Sequence, residues 1–282
     1  MGRIRFGPAG KPLDFKGSME KVPAYLASIG LDALEYEAVR GVRISEAKAR
    51  RLGEEAGKHG VVLSMHAPYY INLGSPDDSV VERSLKRLRD AMLASEWMGA
   101  YAVVFHPGYI KGNKTRQEAL KRVISSLQRL EEELEGVVRK PELAPETTGK
   151  VSQVGDLGET IEICRSLRRC RPAVDWAHLY ARSEGGFVRS VDEVIRAIEL
   201  IERELGTRAV RPLHTHFSKI EYGRGGEREH HTLSEEGYGP DWRVVCRAYL
   251  ETGIDAVVIS ESPILDRDAL LMKRICEEEA SR

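Results

Sequence analysis

The chain has almost no side-chain amides: two asparagines and three glutamines stand against 31% charged residues in 282. Few thermolabile amides beside abundant charge is a bias of heat-adapted proteins. Cysteine is also scarce, with Cys164, Cys170, Cys246 and Cys276 alone. None shows C-x-x-C spacing, which argues against a structural zinc knuckle and for four core or helix-face residues. In a heat-adapted chain an intracellular disulfide stays open. There is no apolar run long enough to cross a bilayer and no signal peptide. The expected location is therefore the cytoplasm, with no membrane partner. Positive charge is not in excess. The formal net charge is −1, so no global field gathers nucleic acid. Any DNA contact has to come from a local patch or from bound cations. No G-x-G-x-x-G or G-x-x-x-x-G-K-S/T follows a predicted strand, which argues against the common phosphate-cradling loops.

What is present is a repeat of short apolar runs and amphipathic stretches. The predicted strands are residues 3–6, 33–37, 61–66, 102–106, a run ending near Glu146, 172–175, 210–218 and 256–261. Eight predicted helices follow them. In the fourth, over 115–134, Leu120, Val123, Ile124, Leu127 and Leu134 form one stripe. Ser45 reads as an N-cap, and Ser190-Val191-Asp192-Glu193 reads as a capping box. Gly30, Gly60, Gly99, Gly206 and Gly253 each fall after a helix and before a strand, where a left-handed C-cap is wanted. Eight such units make the expected fold a single (β/α)8 TIM barrel over residues 1–282, in the α/β class. A doubly wound open sheet is the alternative.

The histidines are not scattered. Four of the eight lie between Leu213 and His231, in LHTHFSKIEYGRGGEREHH. They are His214, His216, His230 and His231, with Glu227 and Glu229 beside the last two. Neutral imidazole and carboxylate are the usual ligands of zinc, manganese and iron. His66, His106, Glu146 and Asp175 end the third to sixth predicted strands. His178 lies one helical turn beyond the sixth. His214 is in the seventh strand and Glu261 ends the eighth. In a barrel these ends meet on one rim, where active sites of this fold are built. His59 falls at a helix C-terminus instead, facing the dipole. Any one of these groups alone reads as a hydrogen-bonded core residue; the set at one rim reads as a metal centre.

These residues also carry a resemblance. His66-Ala67-Pro68-Tyr69 with Tyr70-Ile71-Asn72-Leu73-Gly74-Ser75, Phe105-His106-Pro107-Gly108, Glu146-Thr147-Thr148-Gly149, Asp175-Trp176-Ala177-His178, and Glu261 within Ser-Glu-Ser follow one another on successive strands. This order resembles the endonuclease IV family of apurinic/apyrimidinic endonucleases, within the barrels similar to xylose isomerase. It runs from about residue 33 to the C-terminus. The resemblance implies two or three zinc ions, with manganese or iron as alternatives. The first would be held by His66, His106 and Glu146. Glu146 would bridge to the second, with Asp175, His214 and Glu261. The third would take His178 plus a carboxylate and a histidine from the loop after the seventh strand. The implied activity is a phosphodiesterase that cleaves DNA 5′ to abasic sites. A hydroxide held between the ions would attack, and Glu146 and Glu261 would be the catalytic carboxylates. DNA with abasic sites is the implied partner, and a monomer is expected.

The third set departs from the family's Asp-x-His. Anchoring on the paired histidines selects Glu227 with His230. Keeping the carboxylate-x-histidine spacing selects Glu229 with His231. His216 replaces the family's Asn and shares a strand face with His214 by period two, so it either lines the pocket or supplies a hydrogen bond behind it. Arg40 follows the second strand, and Tyr69 and Tyr70 follow the third-strand histidine. They are the expected DNA contacts, since planar groups enter a base stack and cations meet phosphates. Two other functions stay in view. One is a metal-dependent sugar isomerase or epimerase using Glu146, Asp175, His214 and Glu261. The other is a non-catalytic damage-binding homologue. The surplus of histidines is what separates the nuclease from the isomerase.

Overall fold

The computed structural model describes residues 2–282. Its eight barrel strands are β1 (Ile4–Pro8), β2 (Ala33–Glu37), β3 (Val62–His66), β4 (Ala102–Phe105), β5 (Glu142–Pro145), β6 (Ala173–Asp175), β7 (Leu213–Phe217) and β8 (Ala256–Ser260). One parallel run orders β1-β8-β7-β6 and the other β2-β3-β4-β5. Parallel bridges join the two runs on both sides, Ala9 to Glu35 on one and Leu143 to Cys170 and Glu146 to Ala173 on the other. The sheet is therefore a closed (β/α)8 barrel and not an open doubly wound one. β4 and β8 are buried at every position, as strands covered on both faces must be.

The helices are α1 (Val22–Ser28), α2 (Glu46–His59), α3 (Asp78–Met98), α4 (Arg116–Glu133), α5 (Leu157–Arg165), α6 (Trp176–Arg182), α7 (Val191–Leu205), α8 (Trp242–Thr252) and α9 (Asp266–Ala280). Gly60, Gly99 and Gly253 close α2, α3 and α8 in the left-handed conformation, which costs a glycine nothing. The full capping box forms at Asp156 and Glu159. At Ser190 it is half made. The hydroxyl accepts from Glu193 N–H, but the Glu193 carboxylate takes the N–H of Arg189.

Of the elements outside the eight-unit pattern, two matter most at the rim. α6 starts directly after β6, with Asp175 as its N-cap accepting from His178 N–H at 2.8 Å. The long connection after β7 is an antiparallel hairpin of strands Lys219–Gly223 and Gly226–His231. Among the described residues no helix is long and apolar enough to cross a membrane.

Cys164, Cys246 and Cys276 are core residues and Cys170 is half-buried; all four are paired, Cys164 with Cys170 and Cys246 with Cys276. The second pair ties α8 to α9 across 30 residues. Limiting the unfolded chain by a loop of that length stabilises the fold by about 3.7 kcal/mol on the chain-entropy account. A thiol reductant is therefore expected to lower the denaturant midpoint. An unchanged midpoint with all four thiols titratable would show that the bridges contribute nothing.

Candidate metal centre

The strand ends bring their side chains together as the pattern of ligand-type residues requires. Glu146, just past β5, is fully buried at the middle of the rim. Its Oε2 lies 3.1 Å from His66 Nε2 and 2.9 Å from His106 Nε2. Its Oε1 lies 3.2 Å from both His178 Nδ1 and His216 Nδ1. One carboxylate thus faces four imidazoles. His216 Nδ1 is also 3.1 Å from Glu261 Oε1.

The ring nitrogens are oriented from behind. His66 Nδ1 meets the carbonyl of Ala67 at 2.9 Å, and His178 Nδ1 meets that of Thr147 at 2.9 Å. A neutral ring that donates from Nδ1 keeps its lone pair on Nε2. In both residues that atom points into the cluster, toward Glu146 or Glu227. His230 is held by Ser218, Oγ to Nδ1 at 2.7 Å.

Burial would push the Glu146 carboxyl up, but His106 and His216 outweigh it and hold it well below the carboxylate range. Burial raises Asp175 to about 6 and Glu37 to about 8. Burial opposes charge on His178 as well, yet Asp175 and Glu227 raise its pKa well above the ordinary histidine value. Perturbation of this kind clusters where ligands or substrates are handled.

The donor set suits divalent cations. Ligand atoms within 4.8 Å of one another form the groups His66, His106, Glu146; Glu146, Asp175, His216, Glu261; and His178, His230, Glu261. Glu227 Oε2 adds to the last, 3.1 Å from His178 Nε2. Asp175 Oδ2 and Glu227 Oε2 are buried with no hydrogen-bond partner, a costly state unless the oxygens face a cation. The groups open into a cavity of about 420 Å³, also walled by Glu37, Val39 and Tyr69.

The hairpin decides between the two alternatives for the third group. Strict alternation would place Glu227, Glu229 and His231 on one face and His230 on the other. The register shifts between Glu221–Glu229 and Tyr222–Glu227, leaving Arg228 as an extra residue. That bulge moves Glu227 to the face of His230, where both approach His178. Glu229 and His231 turn away. They gather with Glu221, and His231 bonds Glu235 at 2.9 Å and stacks on Tyr238 at 3.6 Å. The loop after β5 clamps the hairpin, because Gly149 O accepts Glu227 N–H at 3.1 Å. A Cβ on Gly149 would lie 2.2 Å from Glu227 Oε2, so glycine there makes room for the carboxylate.

His214 is a correction. It does not sit with Asp175 and Glu261. Register places His216 level with Asp175, and His214 level with Ala173, one layer deeper. Two residues along a strand is about 6.6 Å, which takes the deeper ring out of reach. His216 fills the expected place. The spacing His-x-His showed that the two share a face, but not which one is level with the rim.

Glu35 and Glu37 were not singled out in the sequence. They alternate on β2, so both point into the barrel, and that is the signal that could have found them. Arg40 is exposed on the loop after β2. Tyr69 and Tyr70 are 55% and 66% exposed, beside the cavity mouth. Tyr69 N–H donates to Val39 O at 3.4 Å, tying these two loops together.

The family model described as xylose isomerase-like TIM barrel matches residues 23–275. An uncharacterized protein of Methanocaldococcus jannaschii is 36% identical over 273 residues, 97% of this chain and 97% of that one. The probable endonuclease 4 of Streptomyces coelicolor is 28% identical over 192 residues, 67% of this chain and 64% of its own. Among solved structures, endonuclease IV from Thermus thermophilus has a TM-score of 0.72 at 21% identity, over 99% of this chain and 100% of that chain. A D-tagatose 3-epimerase-like protein has the same TM-score at 23% identity, over 98% and 97%. At such identities these two structures speak for the fold alone.

Proposed function

Because the chain belongs to the xylose isomerase-like TIM barrel family, we propose that it is a metal-dependent phosphodiesterase that cleaves DNA on the 5′ side of abasic sites. The observation that carries this reading is the third group. His178, Glu227 and His230 converge beside the Glu146 cluster, and a sugar epimerase working with Glu146, Asp175, His216 and Glu261 has no use for them. A relative named probable endonuclease 4 supports the same direction. The epimerase alternative draws support from the similar fold of the D-tagatose 3-epimerase-like protein.

Zinc, or manganese or iron, held at these groups would acidify a bound water and offset the charge of a phosphodiester. The chain's own residues do the positioning. Glu146 turns one oxygen to His66 and His106 and the other to His178 and His216, so it spans two groups. Glu261 closes the far side of His216. His178, Glu227 and His230 stand where the hairpin covers the rim and would hold a third ion to offset charge on a departing 3′ oxygen. Tyr69 and Tyr70 offer aromatic faces beside the mouth, and Arg40 offers a cation to the backbone.

The test is metal analysis with cleavage of a duplex carrying one abasic site. Two or three divalent ions per chain and a single chelator-sensitive cut 5′ to the lesion are expected. Epimerisation of a ketose with no cut would transfer the assignment to the alternative. Tyr69→Ala and Tyr70→Ala are each expected to raise KM for the abasic duplex about tenfold with kcat little changed, since one stacked base is worth about 1–3 kcal/mol. Steady-state kinetics on the two variants checks this.

A further inference from the structure

Directly beneath the rim lies a polar network that the proposed chemistry does not use. Glu35 is fully buried in the barrel lumen. Its Oε1 lies 2.9 Å from His216 Nε2, and its Oε2 lies 3.1 Å from His214 Nε2. Ser64 Oγ–H donates to Oε2 at 2.7 Å. The two Nε2 atoms are 3.3 Å apart, both turned to this one carboxylate. On its other side, His214 Nδ1 meets the hydroxyl of Tyr101. The Arg171 guanidinium sits 5.0 Å over the Tyr101 ring and holds that end.

With a cation at the rim, one arrangement of donors and acceptors serves the whole network. A carboxylate only accepts, so both Nε2 atoms facing it carry hydrogens. A neutral His214 with its proton on Nε2 has an acceptor at Nδ1, and the Tyr101 O–H supplies the donor. A neutral His216 with its proton on Nε2 has its lone pair on Nδ1. That is the atom facing Glu146 and Glu261. The hydrogens of Tyr101, Ser64, His214 and His216 then each face an acceptor, and the Nδ1 lone pair of His216 is left for the cation.

We propose that Glu35 is a positioning residue for the metal centre, fixing the tautomer and angle of His216 while His214, Ser64 and Tyr101 hold Glu35 in place. The assignment rests on reading the rim as a metal centre. It also gives His214 a task, as a brace in the layer below the ligands. Imidazole ligands are commonly backed by a carboxylate in this way, and removing the partner weakens metal binding about 10–100-fold. In Glu35→Gln one oxygen remains, and an N–H group competes with the two ring N–H groups. His216 then loses the acceptor that fixes its ring angle and holds its Nε2 hydrogen.

The experiment titrates the metal-stripped full-length protein with Co2+ against a competing chelator, following the visible absorption of bound cobalt. Glu35→Gln is expected to weaken one equivalent about 10–100-fold and leave the remaining equivalents as in the wild type. Glu35→Asp keeps the acceptor but withdraws it, so its affinity should fall between the two. Thermal unfolding of the metal-free proteins identifies a variant that has not folded. If that is Glu35→Gln, Glu35→Asp carries the test. Unchanged affinity for every equivalent, beside normal uptake by the wild type, overturns the role of Glu35 alone. No cobalt uptake by the wild type overturns the metal-centre reading and this assignment with it.

Discussion

Glu146→Gln is expected to lower kcat by more than about 10³-fold while the barrel still folds, a loss of the size seen when a group central to catalysis is removed. The wild-type carboxylate is buried and offers both oxygens, each to two imidazoles. Glutamine has nearly the same volume, so the packing around position 146 survives. Its amide has one acceptor and two donor hydrogens, and it carries no charge. One side of the pair of groups would then face N–H where it had faced a lone pair, and a cation there would be opposed. Cobalt titration and single-turnover cleavage of the abasic duplex separate loss of metal from loss of chemistry. Turnover close to wild type, with the metal complement unchanged, would show that a carboxylate bridging the groups is not needed.

His178→Ala is expected to reduce kcat about 10²–10³-fold with KM close to wild type, the behaviour of a group that acts on charge developing in the transition state. His178 is the pivot of the third group. Its Nε2 is 3.1 Å from Glu227 Oε2, and its ring centre is 5.5 Å from that of His230. Removing it takes away the ring that Glu227 and His230 share and leaves Glu261 as the remaining member of the group near His230. The first group, His66 with His106 and Glu146, keeps its contacts. Metal analysis should therefore show a partial loss. Glu227→Gln should follow the same direction, because it removes the charged partner from the other side. A His178→Ala protein that keeps all its metal and cuts the abasic duplex at the normal rate would remove the third group from the mechanism. The four-residue group of Glu146, Asp175, His216 and Glu261 would then be sufficient, as the epimerase alternative requires.

The rim itself was legible in the chain alone because barrel topology converts chain position into place. His66, His106, Glu146, Asp175 and Glu261 each stand at the C-terminal end of a strand. In parallel strands closed into a ring those ends must lie on one face. Short apolar runs, amphipathic helices and glycines at helix ends determined the eight units for the same local reason, since strand burial, helical periodicity and left-handed caps are properties of a few neighbouring residues. Even the turn that carries His178 past the end of β6 is local, because Asp175 caps α6 with its own side chain.

Other features depend on contacts between segments far apart in the chain, and only the tertiary structure decided them. Period two put His214 and His216 on one face, but the stagger between β6 and β7 chose which ring is level with Asp175. The choice between Glu227 and Glu229 turned on one extra residue, Arg228, which reverses the alternation of the hairpin. Glu35 looked like any residue of a short strand until closure of the barrel set it against Ser64, His214 and His216. The Cys246–Cys276 pair likewise needed α8 beside α9. The sequence by itself determined that His66, His106, Glu146, Asp175 and Glu261 reach the rim, since each stands at the end of a strand. Depth, facing and partner were decided by register and packing, which no single strand contains.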